Sequence, residues 1–174
     1  VHRDLKPANV MVGEDGRLRI VDFGLAKLWE EGLEDTDTEM ATEGLTKEGV
    51  AMGTAPYMSP EQLQGEALDH RTDIFSLGVI LNEMATGRRP FEGRSSVDLV
   101  AAILRDAPPP MTESRADLSA GLAQVVRRCL EKEPGRRIQT ARDLAAELRL
   151  EHREEGNDVS RILRTPPAPS TPLL

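Results

Sequence analysis

A chain of 174 residues, 39% of them hydrophobic, has the composition of one folded domain and not of a disordered segment. The formal net charge of −8 argues against non-specific binding to nucleic acid or to an anionic membrane. The single cysteine, Cys129, rules out an internal disulfide; it falls in an apolar helical pattern that suits a core position in a reducing, cytoplasmic setting.

The chain opens on VHRDLKPANVMV. One loop here holds two groups able to move a proton (His2, Asp4), two cations (Arg3, Lys6) and a possible metal ligand (Asn9). The stretch NVMVGEDGRLRIVDFG then reads as a hairpin, with Val10 and Val12 on one side of an Asp15-Gly16 turn and Leu18 and Ile20 on the other. Residues 25–57 have little periodicity and read as a long loop, a length usually reserved for function. From Glu30 to Glu48 it carries eight acids against one base, Lys47, which reads as a solvated charge run.

Helices follow. TDIFSLGVILNEMATG has Thr72 or Asp73 as its expected cap and Gly87 as its stop. Apolar residues cover most of its circumference, so it belongs in the middle of a domain. A second helix runs from Ser96 to about Arg105 and is broken by APPP at 107–110. Helical patterns return at about 119–132 and 140–152, the last with Leu144 and Leu148 on its apolar face. From about Glu154 the pattern fades, and TPPAPSTPLL reads as an extended, disordered tail. No internal repeat or signal peptide is visible. The longest apolar run, around Ile74 to Met84, is too short to span a bilayer. The fold class expected is α+β: one small hairpin, a long loop and a helical mass.

The chemistry gathers near the start. Asp4 and Asn9 flank the turn former Pro7, and Asp22 ends the second hairpin strand. A hairpin returns Asp22 to the residues before the first strand, so two acids and an Asn converge. Their hard oxygens suit Mg²⁺ better than zinc. Gly24 after Phe23 permits a turn closed to other residues. Each element is weak alone.

Together, HRDLKPAN, DFG and GTAPYMSPEQ, in that order and spacing, resemble the catalytic loop, metal-binding motif and activation-segment end of eukaryotic-type protein kinases. The chain is most similar to the bacterial serine/threonine kinases, through YMSPEQ, DIFSLGVIL, EMATGRRPF and KEPGRR, and the resemblance runs from Val1 to about Leu150. It implies a mainly helical kinase C-terminal lobe over 1–152, with an activation segment at 22–61 and a helical subdomain at 72–152. Residues 153–174 are then a Pro-rich linker or tail. It implies ATP and Mg²⁺ as cofactors and Ser/Thr hydroxyls of proteins as acceptors. Asp4 would be the catalytic base, Lys6 would neutralise the transferred phosphoryl group, and Asn9 and Asp22 would hold Mg²⁺. Lys6 followed by Pro7 is the Ser/Thr-kinase pattern, and the Thr54 hydroxyl would bond the catalytic Asp and Lys.

The same resemblance implies structural roles. His2 and Phe23 would pack in the lobe, Glu61 would pair with Arg137, and Asp73 would accept backbone N–H bonds from the catalytic loop. Arg3, directly before the catalytic Asp, marks kinases switched on by activation-loop phosphorylation. Thr46 is the first candidate acceptor and Thr42 the second; Thr36 and Thr38 sit in the acid run. The competing switch is a built-in acid, Glu43 or Glu48. One departure from the pattern is Asn82, where many relatives have Tyr.

No GxGxxG and no VAIK-like strand occur in the 174 residues. The expectation is therefore a C-terminal lobe whose own N-lobe is missing, inactive by itself. A cytoplasmic location is expected, with a membrane tether beyond the tail left open. The alternatives are a pseudokinase-like scaffold lobe, which typically loses one of Asp4, Lys6, Asn9 or Asp22, and a small-molecule phosphotransferase, which usually lacks the Arg-Asp-Leu-Lys-Pro run.

Overall fold

The computed structural model describes residues 1–22 and 54–164, with side chains as far as 153. The loop at the start passes through a short 3-10 turn at Pro7–Asn9 into strands β1 (Val10–Val12) and β2 (Leu18–Ile20). They pair antiparallel in the register Val10↔Ile20, Met11↔Arg19 and Val12↔Leu18. Gly16 takes the left-handed backbone (φ 72°) that the Asp15-Gly16 turn demands.

After a 3-10 turn at Ala55–Tyr57 the helices are α1 (Pro60–Gln64), α2 (Arg71–Thr86), α3 (Ser96–Arg105), α4 (Met111–Ser114), α5 (Ala120–Cys129) and α6 (Ala141–Arg164). Starts and stops follow local chemistry. Ser59 and Ser95 close capping boxes with Gln62 and Asp98, and Ser119 caps α5. Gly65 and Gly87 end α1 and α2 in left-handed conformations.

Helix α2 is the centre of the mass. Phe75 and Val79 join Phe91, Ile103, Val126 and Leu130 in one cluster, and Ile74 joins Val125, Cys129, Ile138 and Leu144 in another. Phe75 and Phe91 stack with ring centroids 6.0 Å apart. A Cβ on Gly78 would lie 2.6 Å from the Cys129 Cβ, so a bare backbone there lets α5 approach α2. Burial pushes the Cys129 thiol up to about 12, which makes it an inert core residue. Lys132 donates to the Ile103 and Ala102 carbonyls at the end of α3, with its Nζ 3.8 Å from the Phe91 ring centroid.

Two expectations are corrected. Neither Thr72 nor Asp73 caps α2, which begins at Arg71 with His70 before it; Asp69 Oδ1 accepts the Arg71 N–H instead. The helix expected to end near 152 continues to Arg164. Gly156 costs helix stability without ending it, and the first residue that forbids continuation is Pro166, whose ring also disfavours helix at Thr165. The short helices α1 and α4 had not been expected. No helix among the described residues is long and apolar enough to cross a membrane.

Candidate active site

The loop before β1 is held from below by α2. Asp73, in its first turn, accepts the His2 N–H at 2.7 Å on one oxygen and the Arg3 N–H at 2.9 Å on the other. The His2 ring is buried: Nδ1 accepts the Asp4 N–H at 3.3 Å and Nε2 meets the Val21 carbonyl at 3.0 Å. One tautomer, with the proton on Nε2, satisfies both bonds. His2 thus ties the loop to the end of β2, which makes it a packing and positioning group.

Arg3 adopts the left-handed region (φ 66°), a conformation that costs a non-glycine residue about 1–2 kcal/mol. Its peptide is gripped on both sides, for Gln62 Nε2 donates to the Arg3 carbonyl at 2.7 Å. Gln62 also accepts the Ser59 N–H through Oε1, so a single side chain closes the α1 cap and pins the loop. No role for Gln62 was read from the sequence, although Ser-x-x-Gln is a legible capping box.

This backbone delivers Asp4, Lys6 and Asn9 to one point. Lys6 Nζ donates to Asp4 Oδ2 at 2.9 Å and to Thr54 Oγ1 at 2.9 Å. The buried Asn9 side chain donates through Nδ2 to the Asp4 carbonyl at 2.8 Å and to Asp4 Oδ2 at 3.2 Å. Oδ2 is therefore committed to two donors. Asp4 Oδ1 is buried and has no hydrogen-bond partner among the described residues. A buried acceptor left open beside a fully tied one is unusual.

Asp22 follows directly on Val21, whose N–H bonds the Asn9 carbonyl at 2.9 Å, so the hairpin returns Asp22 next to Asn9. Asp22 is exposed and holds a left-handed φ of 56°. Phe23, Gly24, Thr42 and Thr46, and with them the expected switch opposite Arg3, lie outside the described residues.

Beyond Thr54 the chain is anchored to α2. Ser76 Oγ donates to the Tyr57 carbonyl at 2.7 Å, and the Tyr57 hydroxyl donates to Glu83 at 2.6 Å. Burial and the Glu83 carboxylate push the Tyr57 phenol up to about 12. Below lies a bidentate pair: Arg137 Nη1 and Nη2 reach the Glu61 oxygens at 2.6 and 2.7 Å. Arg137 spends its remaining donors on the carbonyls of Glu131, Arg71 and Lys132 and lies 5.0 Å from the Phe75 ring centroid. Thr72 donates to Glu61 at 2.8 Å. Burial raises the Glu61 carboxyl, but the Arg137 and Thr72 bonds outweigh it and hold Glu61 below its ordinary value.

The family model for the protein kinase domain matches residues 1–148. The chain is 37% identical to the serine/threonine-protein kinase PknB of Mycolicibacterium smegmatis, over 94% of this chain and 25% of that protein. It is 39% identical to a probable serine/threonine-protein kinase of Corynebacterium efficiens, over 94% of this chain and 24% of that one. A serine/threonine-protein kinase of Myxococcus xanthus is 39% identical over 88% of this chain and 28% of its own length. The chain thus spans about a quarter of the length of these relatives. With its α+β architecture and the HRD-to-SPE motifs, it belongs to the protein kinase family, alongside the bacterial serine/threonine kinases.

Proposed function

We propose that this chain is the C-terminal catalytic part of a serine/threonine protein kinase, with Asp4 as the base for the acceptor hydroxyl. The observation that carries the reading is the asymmetry of Asp4: Oδ2 is tied by Lys6 and Asn9, while Oδ1 is buried and open among the described residues. A Ser or Thr hydroxyl donating to Oδ1 is held and oriented there, and its proton passes to that oxygen as the hydroxyl attacks. Lys6, fixed between Asp4 and Thr54, offsets the charge on the transferred group.

The donor set fits Mg²⁺. Asn9 and Asp22 offer a carboxamide and a carboxylate, and no cluster of three His, Cys, Asp or Glu exists among the described residues to favour a softer metal. Bound Mg-ATP supplies the phosphoryl group, while the chain positions the acceptor and balances charge.

The hairpin supports a second clause. Met11, Val12, Leu18 and Ile20 are all exposed, an apolar surface that a soluble protein ordinarily covers. An N-lobe carried elsewhere in the full-length protein would cover it and enclose the nucleotide, and the 174 residues alone would not transfer phosphate. The test uses the full-length protein with Mg-ATP and a generic Ser/Thr protein substrate. Phosphate should appear on Ser or Thr, and Asp4→Asn should lower kcat by about 10²–10⁴-fold. Turnover near wild type in Asp4→Asn would remove Asp4 from this role.

A further inference from the structure

Asn82 departs from the family pattern and the proposed chemistry does not use it. It is a buried residue in the last part of α2, and its Nδ2 donates to the Arg88 carbonyl at 2.8 Å. Thr86 Oγ1 gives its proton to the Asn82 carbonyl at 2.7 Å and accepts the Arg88 N–H at 3.2 Å. With Gly87 left-handed at φ 73°, the backbone of Arg88 is fixed on both sides. Yet the Arg88 and Arg89 side chains are exposed, and neither makes an ion pair among the described residues. Arg88 thus projects from a fixed peptide, and Arg89 follows it with its side chain also exposed.

The pair follows directly on the part of α2 that anchors the segment after Thr54: the Tyr57 hydroxyl donates to Glu83 at 2.6 Å, and Lys6 joins Thr54 to Asp4. Arg88 and Arg89 line a cavity of about 390 Å³ with Asn82, Glu92 and Glu113. Both signs matter. The guanidiniums offer forks for an anionic group, while Glu92 and Glu113 repel a second one, which disfavours a polyanion such as nucleic acid.

Resting on the kinase reading, we propose that Arg88 and Arg89 form a substrate subsite for one anionic side chain, an acidic or phosphorylated residue near the Ser or Thr to be modified. The chain contains such a sequence itself: in DTDTEMATEG, Thr36, Thr38 and Thr42 each stand next to an acid.

The experiment uses the full-length protein and two fluorescently labelled peptides, DTDTEMATEG and its neutral counterpart NTNTQMATQG. Binding is read by anisotropy and phosphorylation by steady-state kinetics with Mg-ATP. Two exposed contacts of this kind are together worth a modest factor, so Arg88→Gln/Arg89→Gln should raise KM for the acidic peptide about five- to tenfold and abolish its advantage over the neutral one. Asn82→Leu, which frees the turn without removing a charge, should weaken the preference partially. A preference for the acidic peptide that is the same in wild type and double variant overturns the subsite. Arginine-dependent binding of the acidic peptide without phosphate transfer would uphold the subsite and overturn the kinase reading. Binding indifferent to the arginines, with phosphate still transferred, would do the reverse.

Discussion

Gln62 Nε2 donates to the Arg3 carbonyl at 2.7 Å, joining a helix cap to the peptide just before Asp4. Arg3 is left-handed, and its N–H is held by Asp73 from the other side. Neither grip touches the Asp4 carboxylate, but both hold the peptide next to it. Gln62→Glu keeps an acceptor for the Ser59 N–H but replaces the donor to Arg3 by a carboxylate oxygen that repels the Arg3 carbonyl. It should change global stability by less than about 1.5 kcal/mol while lowering kcat severalfold. Gln62→Met also loses the acceptor for the Ser59 N–H, while Ser59 Oγ still accepts the N–H of residue 62, and should cost about 1–3 kcal/mol more. Denaturant unfolding and steady-state kinetics of both variants in the full-length protein separate the two effects; equal losses of kcat and stability in both would deny the clamp.

Glu61 and Arg137 make the pH dependence of stability predictable in sign. The folded Glu61 carboxyl lies below its ordinary value of 4.5, so the unfolded chain binds the extra proton first. The contribution is fully present above about pH 4.5 and is lost as pH falls through the folded value. Glu61→Gln removes that acid limb, so the stability gap between wild type and variant should be widest above pH 5 and narrow below it. Arg137→Met strands Glu61 in the interior and should cost about 3–5 kcal/mol at neutral pH. Urea titrations from pH 3 to 7 measure both.

The parts legible in sequence were those governed by local rules. The Asp15-Gly16 turn, the Gly87 stop and the α3 break at Pro108 each follow from one residue's backbone preference, and all lie where the pattern put them. Asp73 shows where local rules fail. Its type and place suit a helix cap, but the His2 and Arg3 amides claim both of its oxygens. The motif resemblance, not periodicity, pointed to that contact. The far end of α6 is not legible in the sequence because a fading hydrophobic pattern says a helix loses its packing face, not that its backbone stops. The bonds of Gln62 and Asn82 are not legible for another reason: each acts on a carbonyl, and carbonyls leave no trace in residue identity.

Gly78 tests the packing behind the site. A methyl group there would meet the Cys129 Cβ at 2.6 Å and Leu130 at 3.2 Å, and both neighbours are buried. Gly78→Ala gains helix propensity of about 1 kcal/mol but loses more to overpacking, typically 1–3 kcal/mol. The net expectation is destabilisation with α5 displaced from α2. Cys129, fully buried in the wild type, then reports the displacement through its reaction rate with a thiol reagent. Faster labelling in Gly78→Ala is the expected result; a slower rate and a higher melting temperature would show that the helices can accommodate the methyl.

Thr54 gives the sharpest separation between positioning and binding. Its Oγ1 accepts one Lys6 proton while Asp4 Oδ2 accepts another, so the ammonium is held between two fixed points. Thr54→Val keeps the shape and removes the acceptor. Lys6 then collapses onto Asp4 alone, drawing the carboxylate out of line and leaving the cation free to swing. A hydrogen bond to a charged donor is worth about 1.5–3 kcal/mol, so kcat should fall roughly ten- to a hundredfold. The KM for ATP should stay within about twofold, because no part of Thr54 is placed against the nucleotide in the proposed arrangement. Thr54→Ser restores the hydroxyl without the methyl and should recover most of the turnover. If Thr54→Ser is as impaired as Thr54→Val, the methyl and its packing matter, and the Lys6 bond does not position the site.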